Sequence, residues 1–408
     1  MTANPLRWQT ASTSESPSWG RKLRIIIVSP SLPLPFGQTD ARWLHAVVSQ
    51  LGSLGHKVIV LSCTEETEGA QDEALAACGE HNVELISIPV VLTESTLQRK
   101  ARSLRRPHSE LLRVRTLRER LEVELRHGYD VLHLEQLFTG WLGLGVPRSV
   151  VFVHSLDTVD WSDRTDLTPR QRVDLFQIKR ATRRLVTASP RIVVNSDRMR
   201  REIERYGGRR VSVAPLALDI SQYAVLDLPG RSVVGVIGSM NWFPSRSAAE
   251  RVITRLWPAV LERVPNAQLL VAGWNAERYL GHLFPVRQAH LLGSVAAPSD
   301  FFGAIDVLLY PPPRGTGMKI KVLEAMAYGV PVVSNAEGLE GLDGAGKPPA
   351  IQGETDELLI SAVERVLTDD ALRTKLRQDG RAFVAAMFNP VIAVDRLIGA
   401  YRELGLLA

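Results

Sequence analysis

Residues 311–341 concentrate the side chains most able to do chemistry. They read PPPRGTGMKIKVLEAMAYGVPVVSNAEGLEG. Gly315 and Gly317 flank Thr316, so backbone there can approach a ligand closely. A helix is expected to start near Met318, with its free amides and positive dipole end open to an anion. Lys319 and Lys321 fall in its first turn, where dipole logic favours acids. Two cations there are unfavourable unless an anion binds, which points to a phosphate or diphosphate. Glu324 follows five residues after Lys319, placed to accept hydrogen bonds from sugar or ribose hydroxyls. A second candidate is His154, at the end of an apolar run and followed by Asp157 and Asp160. An imidazole there can contact a reacting group, and the acids can orient it or tune its proton affinity.

Other chemistries lack their residues. Gly341–Lys347 matches G-x4-GK, but Pro348 stands where a phosphate-binding P-loop needs Ser or Thr. No G-x-G-x-x-G follows the first strand and no Asp-x-Asp triplet occurs, so neither a dinucleotide fingerprint nor a metal site is expected. Two cysteines, Cys63 and Cys78, are too few for a disulfide framework.

The elements that must position these residues alternate. Short β-branched runs begin at Leu23–Val28 and Lys57–Ser62, with a helical pattern at Asp40–Gly52 between them; this is a parallel βαβ unit. Further strands are expected at Val83–Pro89, Val131–Leu134, Ser149–His154, Arg191–Asn195 and Val211–Pro215. Helices are expected at Leu97–His127, Arg170–Ala188 and Arg198–Tyr206. The pattern restarts at Val233–Gly238, followed by one helix over Ser245–Glu262 and strands at Gln268–Ala272, Val307–Tyr310 and Pro331–Ser334. The fold expected is α/β: two Rossmann-like, doubly wound domains facing across a cleft, with ligands at strand carboxyl ends.

GTGMKIKVLEAMAYGVPVVS resembles the donor-binding signature of the retaining GT-B glycosyltransferases of family 4, also called group 1. RIIIVSPSLPLPFGQTDARWLHAVVSQLGSLGHKVIVLS, VFVHSLDTVDW and VVGVIGSMNWFPSRSAAERVITRLWPAVLERVPNAQLLVAG are similar to other family segments, in the right order. The resemblance implies a GT-B architecture. Residues 1–20 would be a disordered leader, 21–215 an acceptor-binding domain, 216–386 a donor-binding domain, and 387–408 a helix returning to the first domain, anchored by Phe388 and Tyr401. It implies a nucleoside diphosphate-sugar donor and an acceptor that is a saccharide, glycolipid or natural product, with transfer retaining configuration. Glu324 would hold the ribose. Lys319 and Lys321, with amides near Gly317 and Met318, would hold the diphosphate, and Gly238 would face it. Gly37 would let its loop approach the donor, and His154 would touch the transferred sugar. Lysines and helix amides would neutralise the diphosphate without metal, and no cofactor is implied.

Two departures stand out. Thr316 occupies the place of the first glutamate of the family's E-x7-E pair, and Arg246 is the nearest cation after the Gly238 strand. Alternative readings are a nucleotide-sugar epimerase or phosphorylase of the same fold, or a non-catalytic nucleotide-sugar-binding subunit.

Charge and length frame this reading. The chain has 408 residues and net charge +5, with +7 over residues 1–215 and −2 over the rest. The surplus on the first half suits an anionic acceptor or surface. Residues 98–126 hold ten Lys or Arg against four Glu, with Val114, Leu117, Leu121 and Leu125 as an apolar face. A cytoplasmic protein is expected, and for residues 98–126 three readings stay open: a solvated helix with Arg/Glu pairs, a guide for an anionic acceptor, or peripheral contact with an anionic membrane. Nucleic acid is not an expected partner, because no aromatic platform accompanies the charge.

Overall fold

The computed structural model describes residues 21–405 apart from 37–38, 65–67, 80, 82, 92–105, 163 and 165–166. The described residues form two compact units, dividing between Ala217 and Leu218 and again between Asn389 and Pro390. The N-terminal unit contains the residues before the first division and those after the second.

Its strands are β1 (Arg24–Ser29), β2 (Lys57–Thr64), β3 (Val83–Pro89), β4 (Val131–Glu135), β5 (Ser149–Val153), β6 (Ile192–Val194) and β7 (Val211–Val213). They make one parallel sheet in the order β3-β2-β1-β4-β5-β6-β7. Helices on both faces explain why β1, β4 and β5 are buried almost throughout. The C-terminal unit has β8 (Val233–Ile237), β9 (Gln268–Ala272), β10 (Ala289–Gly293), β11 (Val307–Tyr310), β12 (Val332–Ser334) and β13 (Ile351–Gln352). Their order, β10-β9-β8-β11-β12-β13, repeats the first sheet's winding.

Both sheets fasten their first and fourth strands alike. Asp130 stands just before β4 and accepts from the Arg24 amide at 2.7 Å. Asp306 stands just before β11 and accepts from the amides of Gly230, Arg231 and Val233 at 2.8–3.1 Å. Each carboxylate satisfies strand-start amides that would otherwise be buried without partners.

Several helices differ from the sequence expectation. The helix expected over Ser245–Glu262 is helical throughout but changes pitch: Phe243–Arg251 and Trp257–Arg263 flank a π-helical turn at Val252–Leu256. Pro258 lacks the amide that an α-helix needs there. The helix expected over Leu97–His127 is described from residue 106 on. There it is a short 3-10 turn, Glu110–Arg113, an extended Val114, and a helix at Arg115–Arg126. Val114, Leu117 and Leu121 lie in the hydrophobic core and Leu125 packs against it. The apolar face that the membrane reading needs therefore faces protein. The exposed side carries the ion pairs Arg115–Glu119 and Arg120–Glu84.

The helix Pro390–Arg402 packs against the helix Thr39–Ser53 and β7 of the N-terminal unit. Tyr401 is fully buried there. Phe388 belongs to the C-terminal unit instead: its carbonyl accepts from the Leu218 amide at 2.8 Å and its ring lies 5.4 Å from Phe383. Among the described residues, Asp370–Arg402 is long and apolar enough by composition to cross a membrane. It is two helices, Asp370–Met387 and Pro390–Arg402, and Val384, Val394 and Leu397 are fully buried.

Tyr401→Phe removes the hydroxyl bound to buried His133 (2.6 Å). It should lower stability by about 1–2 kcal/mol, read as a lower urea midpoint of the transition that reports on the N-terminal unit.

Candidate functional site

Two groups of polar side chains gather at the carboxyl ends of the parallel strands, one in each unit. In the N-terminal unit the centre is Glu135, the last residue of β4, with 2% of its side chain exposed. Its Oε1 accepts from Trp43 Nε1 (3.1 Å) and His133 Nε2 (2.8 Å). Its Oε2 accepts from His154 Nε2 (2.7 Å). His133 and Glu135 share a face of β4 because strand side chains alternate. His154 follows β5, whose Phe152 stands opposite Glu135 in the strand register. Trp43 comes from the helix Thr39–Ser53, and Tyr401 closes the chain at His133 Nδ1. The Phe152 ring lies 4.6 Å from both Trp43 and His154.

Burial works to raise the pKa of Glu135, but the facing imidazoles and their hydrogen bonds outweigh it and hold it down at about 2. Glu135 is therefore a carboxylate at neutral pH and can only accept hydrogen bonds. Burial, with the nearby Glu135 charge, pushes the Tyr401 phenol well above its ordinary value, so it stays a donor. The sequence reading placed Asp157 and Asp160 as partners of His154; the carboxylate bonded to His154 is Glu135. Burial and the neighbouring Asp160 push Asp157 up to about 6.

The C-terminal group surrounds the loop between β11 and the helix Ile320–Tyr328. This helix starts two residues later than expected, with Lys319 as its N-cap. Lys319 is buried. Its Nζ donates to the carbonyls of Thr316 (3.2 Å) and Gly317, and lies 3.8 Å from Glu340. Lys321 Nζ donates to Ser245 Oγ (2.6 Å) and sits 4.3 Å over the Tyr310 ring and 5.6 Å from the Trp242 ring. Glu324 is 3% exposed and accepts from the Tyr223 hydroxyl (3.4 Å).

Gly238, just after β8, lines the same place. A Cβ there would stand 2.5 Å from Lys321 Nζ and 2.7 Å from Ser245 Oγ. Gly273, just after β9, packs against it so closely that its own Cβ would meet the Gly238 carbonyl oxygen at 1.9 Å. Backbone meets backbone, and only glycine fits. Arg246 is engaged elsewhere, 4.9 Å over Tyr279 and 3.8 Å from Glu250.

Sequence reasoning missed what holds the glycine loop. Its amides at Gly315 and Gly317 donate to Glu337 (3.3 Å) and Glu340 (3.1 Å). Asn335 Nδ2 donates to the Pro312 carbonyl (2.7 Å) and Ser334 Oγ to that of Tyr310. Thr316, Gly317 and Met318 are thus buried in a turn fastened by the segment after β12. The Gly317 amide, expected to meet a phosphate, is occupied by Glu340. Gly37 lies outside the described residues. Cys63 and Cys78 are buried thiols pushed up to about 11 and 12, so neither is a ready nucleophile.

Comparison with known proteins bears on both groups. Residues 41–222 match the family described as Glycosyltransferase Family 4, and 231–369 that described as Glycosyl transferases group 1. No curated protein sequence matches the chain. Among solved structures, Anabaena Alr3699/HepE in complex with UDP-glucose is 15% identical, with a TM-score of 0.63 over 94% of this chain and 100% of that one. A variant of S. aureus TarM in complex with fondaparinux, alpha-GlcNAc-glycerol and UDP is 10% identical, with a TM-score of 0.65 over 93% and 100%. The trehalose 6-phosphate synthase of Burkholderia multivorans is 13% identical, with a TM-score of 0.63 over 94% and 99%. These likenesses establish the fold.

The two perturbed carboxylates predict opposite pH effects. Asp157, raised from 3.8 to about 6, holds a proton when folded that the unfolded chain has released, so it lowers stability as pH climbs through that window. Asp157→Asn should raise stability at pH 7.5, by on the order of 1–3 kcal/mol, and leave it unchanged at pH 3.5. Glu135, lowered from 4.5 to about 2, contributes stability that is present above pH 4.5 and lost as pH falls toward 2. Denaturant titrations at the two pH values check the Asp157 effect.

Proposed function

Because the chain belongs to the group 1, family 4 glycosyltransferases of GT-B fold, we propose that it transfers a sugar, with retention, from a nucleoside diphosphate-sugar to a hydroxyl of a saccharide, glycolipid or natural product. The observation that carries this is Lys321. Its ammonium is held by Ser245 at the start of a buried helix, beside a glycine with no side chain to obstruct a ligand.

In this reading the diphosphate sits against Gly238, where Lys321 and the helix amino end balance its charge. Lys319 adds charge while shaping its own turn. Glu324, about one turn along the helix, accepts the ribose hydroxyls. As the sugar–phosphate bond breaks, negative charge grows on the leaving phosphate, and the fixed ammonium stabilises that change without reorganising. The leaving phosphate takes the acceptor proton, so no separate side-chain base is needed. His154 contacts the transferred sugar. The neighbours solved with UDP or UDP-glucose support a uridine donor.

Gly238→Ala and Lys321→Ala are both expected to weaken donor binding by about tenfold or more, close to 1.4 kcal/mol, while the protein stays folded. Calorimetry with a panel of nucleoside diphosphate-sugars reads this directly. Unchanged affinity in both variants removes Lys321 from the donor site, and a panel in which sugars are epimerised without transfer overturns the transferase reading.

A further inference from the structure

Three N–H groups converge on the Glu135 carboxylate, and each settles where a hydrogen lies. An ionised carboxylate offers only acceptors, so the facing Nε2 atoms of His133 and His154 both carry hydrogen. Tyr401 donates to His133 Nδ1, which agrees with that assignment. His154 Nδ1 is buried and has no hydrogen-bond partner. An unpartnered buried nitrogen is unfavourable, and a ligand hydroxyl relieves it.

We propose that Glu135 is a positioning residue: through the Nε2 bond it locks His154 in one tautomer and ring orientation, leaving Nδ1 as the atom that meets a hydroxyl of the transferred sugar. This rests on the proposed role of His154. The cause is geometric. The carboxylate is held from its other side by Trp43 and His133, so it cannot turn away from His154. A neutral His154 then presents a bare lone pair at Nδ1, suited to accepting from a sugar O–H. The other tautomer would present N–H there and leave Nε2 facing the carboxylate without a proton, two acceptors in contact.

Two measurements separate this proposal from the role of His154 itself. The first needs no substrate. Histidine-selective ¹⁵N NMR of the whole protein, with His154 assigned by its loss in His154→Ala, should show hydrogen on Nε2 and none on Nδ1 at pH 8. Hydrogen on Nδ1 overturns the proposal, whatever His154 does in transfer. The second is a double-mutant cycle on kcat and KM in donor turnover. Glu135→Gln should lower kcat by about tenfold or more in the native background and by less than about twofold in His154→Ala, with KM for the donor nearly constant. Equal losses in both backgrounds mean that Glu135 acts structurally, and the proposal fails. If His154→Ala leaves turnover unchanged, the sugar-contact role of His154 fails, while the NMR result still decides the tautomer.

Discussion

One buried carboxylate organises the N-terminal unit. Burying Glu135 is costly unless its charge is fully hydrogen-bonded, and three donors meet that requirement: an indole and two imidazoles. They come from the helix Thr39–Ser53, from β4 and from the end of β5. Tyr401, near the other end of the chain, completes the set. The requirement thus links four segments far apart in sequence. It also explains why the helix Pro390–Arg402 belongs with a unit whose other residues precede it by more than a hundred positions. Removing any donor would leave the charge under-compensated in a low-dielectric place, so the network and the fold stand together.

The C-terminal unit solves a different problem, the close approach of backbone to ligand. Its sheet has the same winding, but where the first unit packs aromatic rings, this one packs Gly238 against Gly273. The space so made is bounded by Lys321, Ser245 and Tyr310. The loop beside it holds its shape because Glu337 and Glu340 supply acceptors for its amides. Those acids offset part of the positive charge of Lys319, which lies against Glu340. The slightly acidic total charge of this half conceals that local concentration.

Much of this was legible in the sequence, for identifiable reasons. Strands covered on both faces read as apolar runs, and β1, β2, β5 and β8 begin at or within a residue of where those runs do. The glycines and lysines of 315–321 advertise a turn into a helix. Glu135 was not legible as a site residue, since the apolar run ends at Leu134 and two of its three partners, His154 and Trp43, lie 19 and 92 positions away, distances only folding closes. A signal did exist: His133 and Glu135 interrupt a buried apolar strand at alternate positions, which places two polar groups on one covered face. Glu337 and Glu340 were missed likewise, because a surface-like pair of acids becomes a pair of loop anchors only through tertiary contact. The π turn before Pro258 and the extended Val114 mark where helical periodicity continues across a change in backbone geometry.

In the proposed transfer, the positive charge at Lys321 and the opening at Gly238 receive a sugar nucleotide's diphosphate. Phosphorus NMR of UDP-glucose and related nucleoside diphosphate-sugars, titrated with the whole protein, tests this at the atoms concerned. Both phosphorus resonances of a bound donor should shift, and Lys321→Ala should remove the shift at matched concentrations while His154→Ala leaves it. Phosphorus shifts of equal size in native protein and in Lys321→Ala would contradict it.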